Sequence, residues 1–328
     1  MNGMLATSNA QLITDKKQMQ KEVGRLGIGG LMAELIMFIC IVVEIIIETV
    51  RLMKAHNWEL PDAEYDQLIE QMMMGGKAYI IAVILITAIL AVWLRKLNYG
   101  HLFSTHREMK VKTFAMCFSV MMGFQLIFSI VASGVEAILN PLGYTMMSDI
   151  ESASDMSSTI SMFLYASFIG PIAEEIIFRG FALKGLEKYG KRFAITISAI
   201  LFGLYHGNLI QSLFAIGTGL VLGYVAEEYS IKWAILMHVI NNFIFSDVLG
   251  YLIKDLSEGT QDAIILGMEI IFFVLAVMIL LLKRKSIINY CKEEQAMPIR
   301  YAFGSFGMII FTAVMMFIAF SGIEKLVA

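Results

Sequence analysis

The sequence predicts an all-α, polytopic transmembrane bundle of about eight to nine helices, and three observations predict it. Of 328 residues, 58% are hydrophobic and 16% charged, against roughly 45–50% and about 25% in an ordinary soluble domain. The apolar residues are gathered into runs, most of them close to the roughly 20 residues with which a helix crosses about 30 Å of hydrocarbon. These runs are continuous rather than alternating, and lipid leaves every backbone polar group to be satisfied within its own segment, so helices fit and a barrel does not.

Taken in order, residues 1–27 are polar and lack the apolar core of a cleaved signal peptide, so a short soluble tail is expected. Nine runs follow, at 28–50, 78–94, 113–139, 158–182, 194–207, 209–226, 233–253, 263–282 and 303–322. The first carries Glu34, Glu44 and Glu48 within about an 80° sector of a helix, which predicts that they face the bundle interior or a wet cavity. The fourth contains Gly170-Pro171, where a bend is expected because proline removes a helical hydrogen bond. The fifth has only 14 residues. No internal repeat or Pro/Gly-rich linker divides the chain, which reads as a tail (1–27), N-terminal helices (28–154), a central core (155–255) and C-terminal helices (256–328).

Orientation follows from the basic residues. The tail and the connections 95–112, 183–193, 227–232 and 283–302 hold 19 of the 25 Lys and Arg, and the opposite connections hold 5. The positive-inside rule then places the N-terminus in the cytoplasm of a multi-pass protein of the cell (plasma) membrane and, with nine spans, the C-terminus outside. A net charge of −3 leaves no basic excess for nucleic acid, so lipid and a membrane-associated protein or peptide are the expected partners. Cys40, Cys117 and Cys291 are too few for a disulfide framework.

The informative residues are polar ones at membrane depth, where a charge costs at least about 2.5–3.5 kcal/mol and needs a partner, water or a function. The fourth run reads Gly170-Pro171-Ile172-Ala173-Glu174-Glu175-Ile176-Ile177-Phe178-Arg179. Glu175 and Arg179 are i,i+4 neighbours and can neutralise each other, whereas Glu174 points about 100° away with no local cation. That makes Glu174 the candidate general base. His206 follows Phe202 by one turn, and His238 precedes Asn242 by one turn, so each pair shares a helix face. Asp247 lies about 180° from His238 and belongs elsewhere. A glutamate, two histidines and an asparagine on three helices supply a base for water, a second group to hold it or a metal, and donors for an oxyanion.

These three patterns, Glu-Glu-x-x-x-Arg, Phe-x-x-x-His and His-x-x-x-Asn, resemble in residues and order the motifs of the CPBP intramembrane protease family. That family includes the Rce1-type CAAX prenyl endopeptidases and bacterial proteins formerly called Abi. The resemblance covers about residues 155–250. It implies an intramembrane endopeptidase in which Glu174 and His206 activate water and His238 and Asn242 stabilise the oxyanion. Glu175, Arg179 and Phe202 would support the site. Both a glutamate and a metallo mechanism have been assigned to the family. Glu174, His206 and His238 would be the ligands if zinc binds, but the helical His-Glu-x-x-His of zinc proteases is absent. A metal-free water is favoured slightly.

Two other classes stay open: a small-solute transporter, which would want paired broken helices in two related halves, and a non-catalytic scaffold or immunity protein. The helix ends drawn above also leave a mismatch in depth. At 1.5 Å per residue Glu174 lies about 12 Å deep, His238 about 8–10 Å and His206 about 18–20 Å. Level side chains would require a fifth helix that starts later, tilts or spans only partly.

Overall fold

The computed structural model describes residues 2–58, 65, 69, 75–97, 102–154, 157, 159–292 and 296–326. Ten helices account for nearly all of it. They are α1 (Asn2–Ala55), α2 (Lys77–Trp93), α3 (Val111–Leu142, broken at Gly123), α4 (Met147–Ser154), α5 (Ile160–Tyr189), α6 (Lys191–Tyr205), α7 (Leu209–Glu228), α8 (Ile231–Ile253), α9 (Glu258–Lys292) and α10 (Phe306–Ser321). All nine expected runs are helical, and the chain is an integral membrane protein. Six helices, α1, α3, α5, α7, α8 and α9, are long and apolar enough to cross a membrane. The expected spans α2 (17 residues), α10 (16) and α6 (15) are shorter.

The short α4 aside, the described helices alternate in direction, as the polar ties at either end indicate. At one end Trp93 Nε1 donates to the Arg25 carbonyl (3.1 Å), Lys188 pairs with Glu22 (2.8 Å), Lys191 with Glu228 (2.9 Å), and Tyr290 donates to Glu228 (3.1 Å). At the other end Glu44 accepts from the Ala78 N–H (2.8 Å) and Asp247 from the Ser157 N–H (2.8 Å). There the two-residue strands β1 (Tyr144–Thr145) and β2 (Glu324–Lys325) pair antiparallel, Tyr144 opposite Lys325.

Two expectations change. The tail before residue 28 is continuous helix with the first span, and Met19, Val23 and Leu26 are buried in the main core beside Leu186, Ala302 and Met308. Its polar residues misled because Glu22 is used inward, accepting from Lys188 and from Tyr189 (2.9 Å). The three acids of α1 also part company. Glu34 faces the interior, Glu44 binds the start of α2, and Glu48 pairs with Arg51 at 2.5 Å on an exposed side. The expected boundary at 154–155 adjoins residues 155, 156 and 158, which lie outside the described residues, as does His101.

In lipid the apolar surface drives association weakly, so close packing of small residues carries more of it. A Cβ on Gly307 would fall within 2.8 Å of the Gly24 Cα, and one on Gly27 within 2.4 Å of the Gly307 carbonyl oxygen, so α10 crosses α1 this closely only with glycine at both 27 and 307. The α6–α7 turn needs Gly207, at φ +59°, after which Asn208 caps α7 by accepting from the Ile210 and Gln211 N–H groups (3.1 and 2.9 Å).

Candidate active site

The mismatch in depth disappears once the true helix ends are known. Helix α5 continues to Tyr189, seven residues past its expected end, and α6 starts at Lys191. Glu174 and His206 are then each 15 residues from that end, about 22 Å. Helix α8 starts deeper than drawn, with Ile231 beside Gly180, which brings His238 to the level of Glu174. Measured from Lys184, the first lysine beyond the motif, Glu174 lies about 15 Å in, near the middle of a hydrocarbon core.

The local backbone explains how α5 and α8 meet. Pro171 has no N–H, and α5 adopts a π-helical turn over Tyr165–Ile169 just before it. Gly170 N–H bonds back to the Tyr165 carbonyl, so the next partner in this i→i+5 ladder, Ala166, faces proline and loses its donor. Asn242 supplies one, its Nδ2 donating to the Ala166 carbonyl at 2.9 Å. Asn242 itself sits in a π stretch, Asn241–Val248, and a third, Ile176–Leu183, follows Glu175. Ser167 donates to Asp247 as a further tie between the same two helices.

Around this seam the motif side chains gather. Arg179 and Glu175 are both fully buried and pair at 2.9 Å; Arg179 also donates to the Gly219 carbonyl (3.3 Å) and lies 4.3 Å over the Phe202 ring. His238 stands between the two glutamates, Nδ1 3.0 Å from Glu175 and Nε2 3.7 Å from Glu174. A hydrogen between His238 Nδ1 and the Glu175 carboxylate leaves Nε2 turned to Glu174. His206 Nδ1 is 2.8 Å from the Phe202 carbonyl, which can only accept, so this nitrogen carries the proton and Nε2 is the free one. The Phe202 ring stands nearly perpendicular to those of His206 (4.8 Å between centroids) and His238 (5.8 Å). Glu174, His238 and Arg179 all lie within electrostatic reach of His206.

Glu174 keeps a side chain 20% exposed, unlike its buried neighbour Glu175. The 3.7 Å to His238 Nε2 is too long for a direct hydrogen bond and short enough for one water to touch both. Among the described residues no three His, Cys, Asp or Glu side chains are grouped so as to hold a metal ion.

Four further side chains reach this region. Tyr165 is within electrostatic reach of Glu174, Glu34 and Tyr79, whose ring it meets at 5.2 Å, and Tyr205 is within reach of Glu34 and Glu174. Sequence reasoning named Glu34 without a role and missed the tyrosines. Tyr205 adjoins His206, a visible signal. Tyr165, nine residues before Glu174, would lie opposite it in an unbroken α-helix, and the π turn rotates it round.

Residues 156–244 match the family described as Rce1-like, Type II CAAX prenyl endopeptidase Rce1-like. A protein of Bacillus subtilis (strain 168) named "Putative membrane peptidase YdiL" is 32% identical over 113 residues, 32% of this chain and 45% of that protein. Over this central segment the chain is similar to the Rce1-like family. The chain spans less than half the length of that curated relative, and no solved structure matches it significantly. Helices α1 and α2, which bring Glu34 and Tyr79, lie outside the matched segment.

Proposed function

We propose that this protein is an intramembrane endopeptidase with Glu174 as general base. It would hydrolyse a peptide bond near the membrane-embedded or membrane-apposed part of a protein or peptide, because a site this deep is reached from lipid or along a crevice. The observation that carries the reading is the pair Glu174 Oε2 and His238 Nε2, 3.7 Å apart, with the histidine ring fixed from behind by Glu175. Glu174, assisted by the free Nε2 of His206, takes a proton from water while the water oxygen bonds to the scissile carbonyl carbon. The carbonyl oxygen becomes an oxyanion, to which a protonated His238 offers Nε2–H and Asn242 its second amide N–H. Collapse breaks the C–N bond and the proton held by Glu174 passes to the leaving nitrogen, giving a carboxylic acid and an amine.

This route is written without a metal, a choice supported by the absence of a helical His-Glu-x-x-His from the sequence. The same reading places the protein in the cell membrane with its N-terminus cytoplasmic, on the asymmetry of its basic residues. In liposomes carrying membrane-anchored peptides, Glu174→Gln is expected to lower cleavage by about a hundred- to ten-thousand-fold, with an unchanged melting temperature. A chelator is expected to leave wild-type cleavage intact. Wild-type rates in Glu174→Gln would contradict the base assignment; loss of activity on chelation with recovery on Zn²⁺ would overturn the metal-free route.

A further inference from the structure

Far from Glu174, helices α1, α2 and α10 enclose an open crevice of about 400 Å3. It lies where three apolar runs begin or end, at Ile28 of α1, Trp93 of α2 and Phe306 of α10. That is the level at which a bilayer passes from hydrocarbon to headgroups, where tryptophan is enriched. It is also the end of the bundle that carries most of the Lys and Arg.

The lining contains two cations, Lys21 and Arg25, and no carboxylate. Glu22, between them in sequence, is turned away to Lys188 and Tyr189. Arg25 is fixed at the crevice, its guanidinium 5.4 Å over the Trp93 ring and one N–H on the Trp93 carbonyl (3.4 Å). Facing them is the start of α10, a 16-residue helix whose first intrahelical bond is Ile309 N–H to Ser305 carbonyl (2.9 Å). The N–H groups ahead of that rung have no partner within the helix and present its positive end.

Ser305 supplies an independent sign of a ligand. It occupies the N-cap yet makes no capping bond, it is 4% exposed, and its Oγ is buried without any hydrogen-bond partner. The Oγ is directed at Gly24 on the opposite wall, where a Cβ would come within 2.6 Å of it. Buried hydroxyls are seldom left unbonded.

We infer that this crevice is a phosphate-binding site at the membrane surface. The fixed Arg25, the exposed Lys21, the N–H groups at a helix start and an unbonded hydroxyl are the donors that a phosphate's oxygens take up. The phosphate comes from an anionic lipid headgroup or from free phosphate in solution. None of the residues around Glu174 takes part, so the site stands apart from the peptidase reading.

The test uses the full chain in neutral detergent, titrated with phosphatidylglycerol or phosphatidylcholine and read by native mass spectrometry. A parallel titration with inorganic phosphate is read by Trp93 fluorescence, with Trp58 and Trp233 replaced by Phe. One phosphatidylglycerol retained per chain in preference to phosphatidylcholine identifies the lipid source, and a saturable Trp93 response to inorganic phosphate identifies the free ion. In either case Lys21→Gln/Arg25→Gln is expected to weaken binding about tenfold or more. Ser305→Ala, which spares both cations and the helix crossing, is expected to weaken it by a smaller factor and carries the test alone if the double variant fails to fold. Equal retention of both lipids with no phosphate response, or wild-type binding in the variants that fold, overturns the inference.

Discussion

Phe202 ties the site together, with Arg179 over its ring and the rings of His206, His238 and Phe178 set steeply against it. Its carbonyl fixes the His206 tautomer as well. Sequence spacing selects the Glu175–Arg179 pair, because i,i+4 positions are neighbours on any α-helix. It could not foresee that His238 reaches both glutamates, which depends on the depth of α8. Arg179→Ala leaves a fully buried carboxylate facing only His238 and is expected to destabilise the protein by about 3–5 kcal/mol. A melting curve in detergent checks this, and a melting point matching wild type would show that Arg179 is not needed to hold Glu175.

At the scale of the element, the π turns decide what the sequence concealed. Nine apolar runs were legible because continuous hydrophobicity reports helices in lipid directly. Register within α5 and α8 was not, since each π turn adds a residue that no 3.6-residue period anticipates. The orphaned Ala166 carbonyl follows from Pro171 and is satisfied by Asn242. Asn242→Ala is therefore expected to cost about 1–3 kcal/mol in the wild-type chain and clearly less beside Pro171→Ala, whose new N–H can serve Ala166. A double-mutant cycle measures this coupling; strictly additive effects would detach Asn242 from the proline. Helix ends were the other blind spot. Lys184, Lys188 and Glu187 made α5 look finished near 182, yet its last turns are held by Lys184–Glu227 (2.8 Å) and Lys188–Glu22 (2.8 Å).

Across the whole molecule, the matched segment contributes α5 to α8, and α1, α2 and α10 wrap the side on which Glu34 and Tyr79 approach. The arrangement relies on the close crossing of Gly307 over Gly24 and Gly27, so Gly307→Val is expected to separate α10 from α1 and lower the melting temperature, as a thermal scan would record. Topology can be read from a native label. Cys291 is exposed at the end of α9, and a membrane-impermeant thiol reagent is expected to modify it in inverted vesicles and not in intact cells. Labelling in intact cells would invert the bundle. The claim on which the account rests is that water adds to a peptide bond beside Glu174. The most direct measurement is mass spectrometry of the products formed from a membrane-anchored peptide in heavy-oxygen water. Wild type is expected to give internal cleavage with one heavy oxygen in the new C-terminal carboxyl and folded Glu174→Gln no such product; equal labelled product from both proteins would show that Glu174 is not the base.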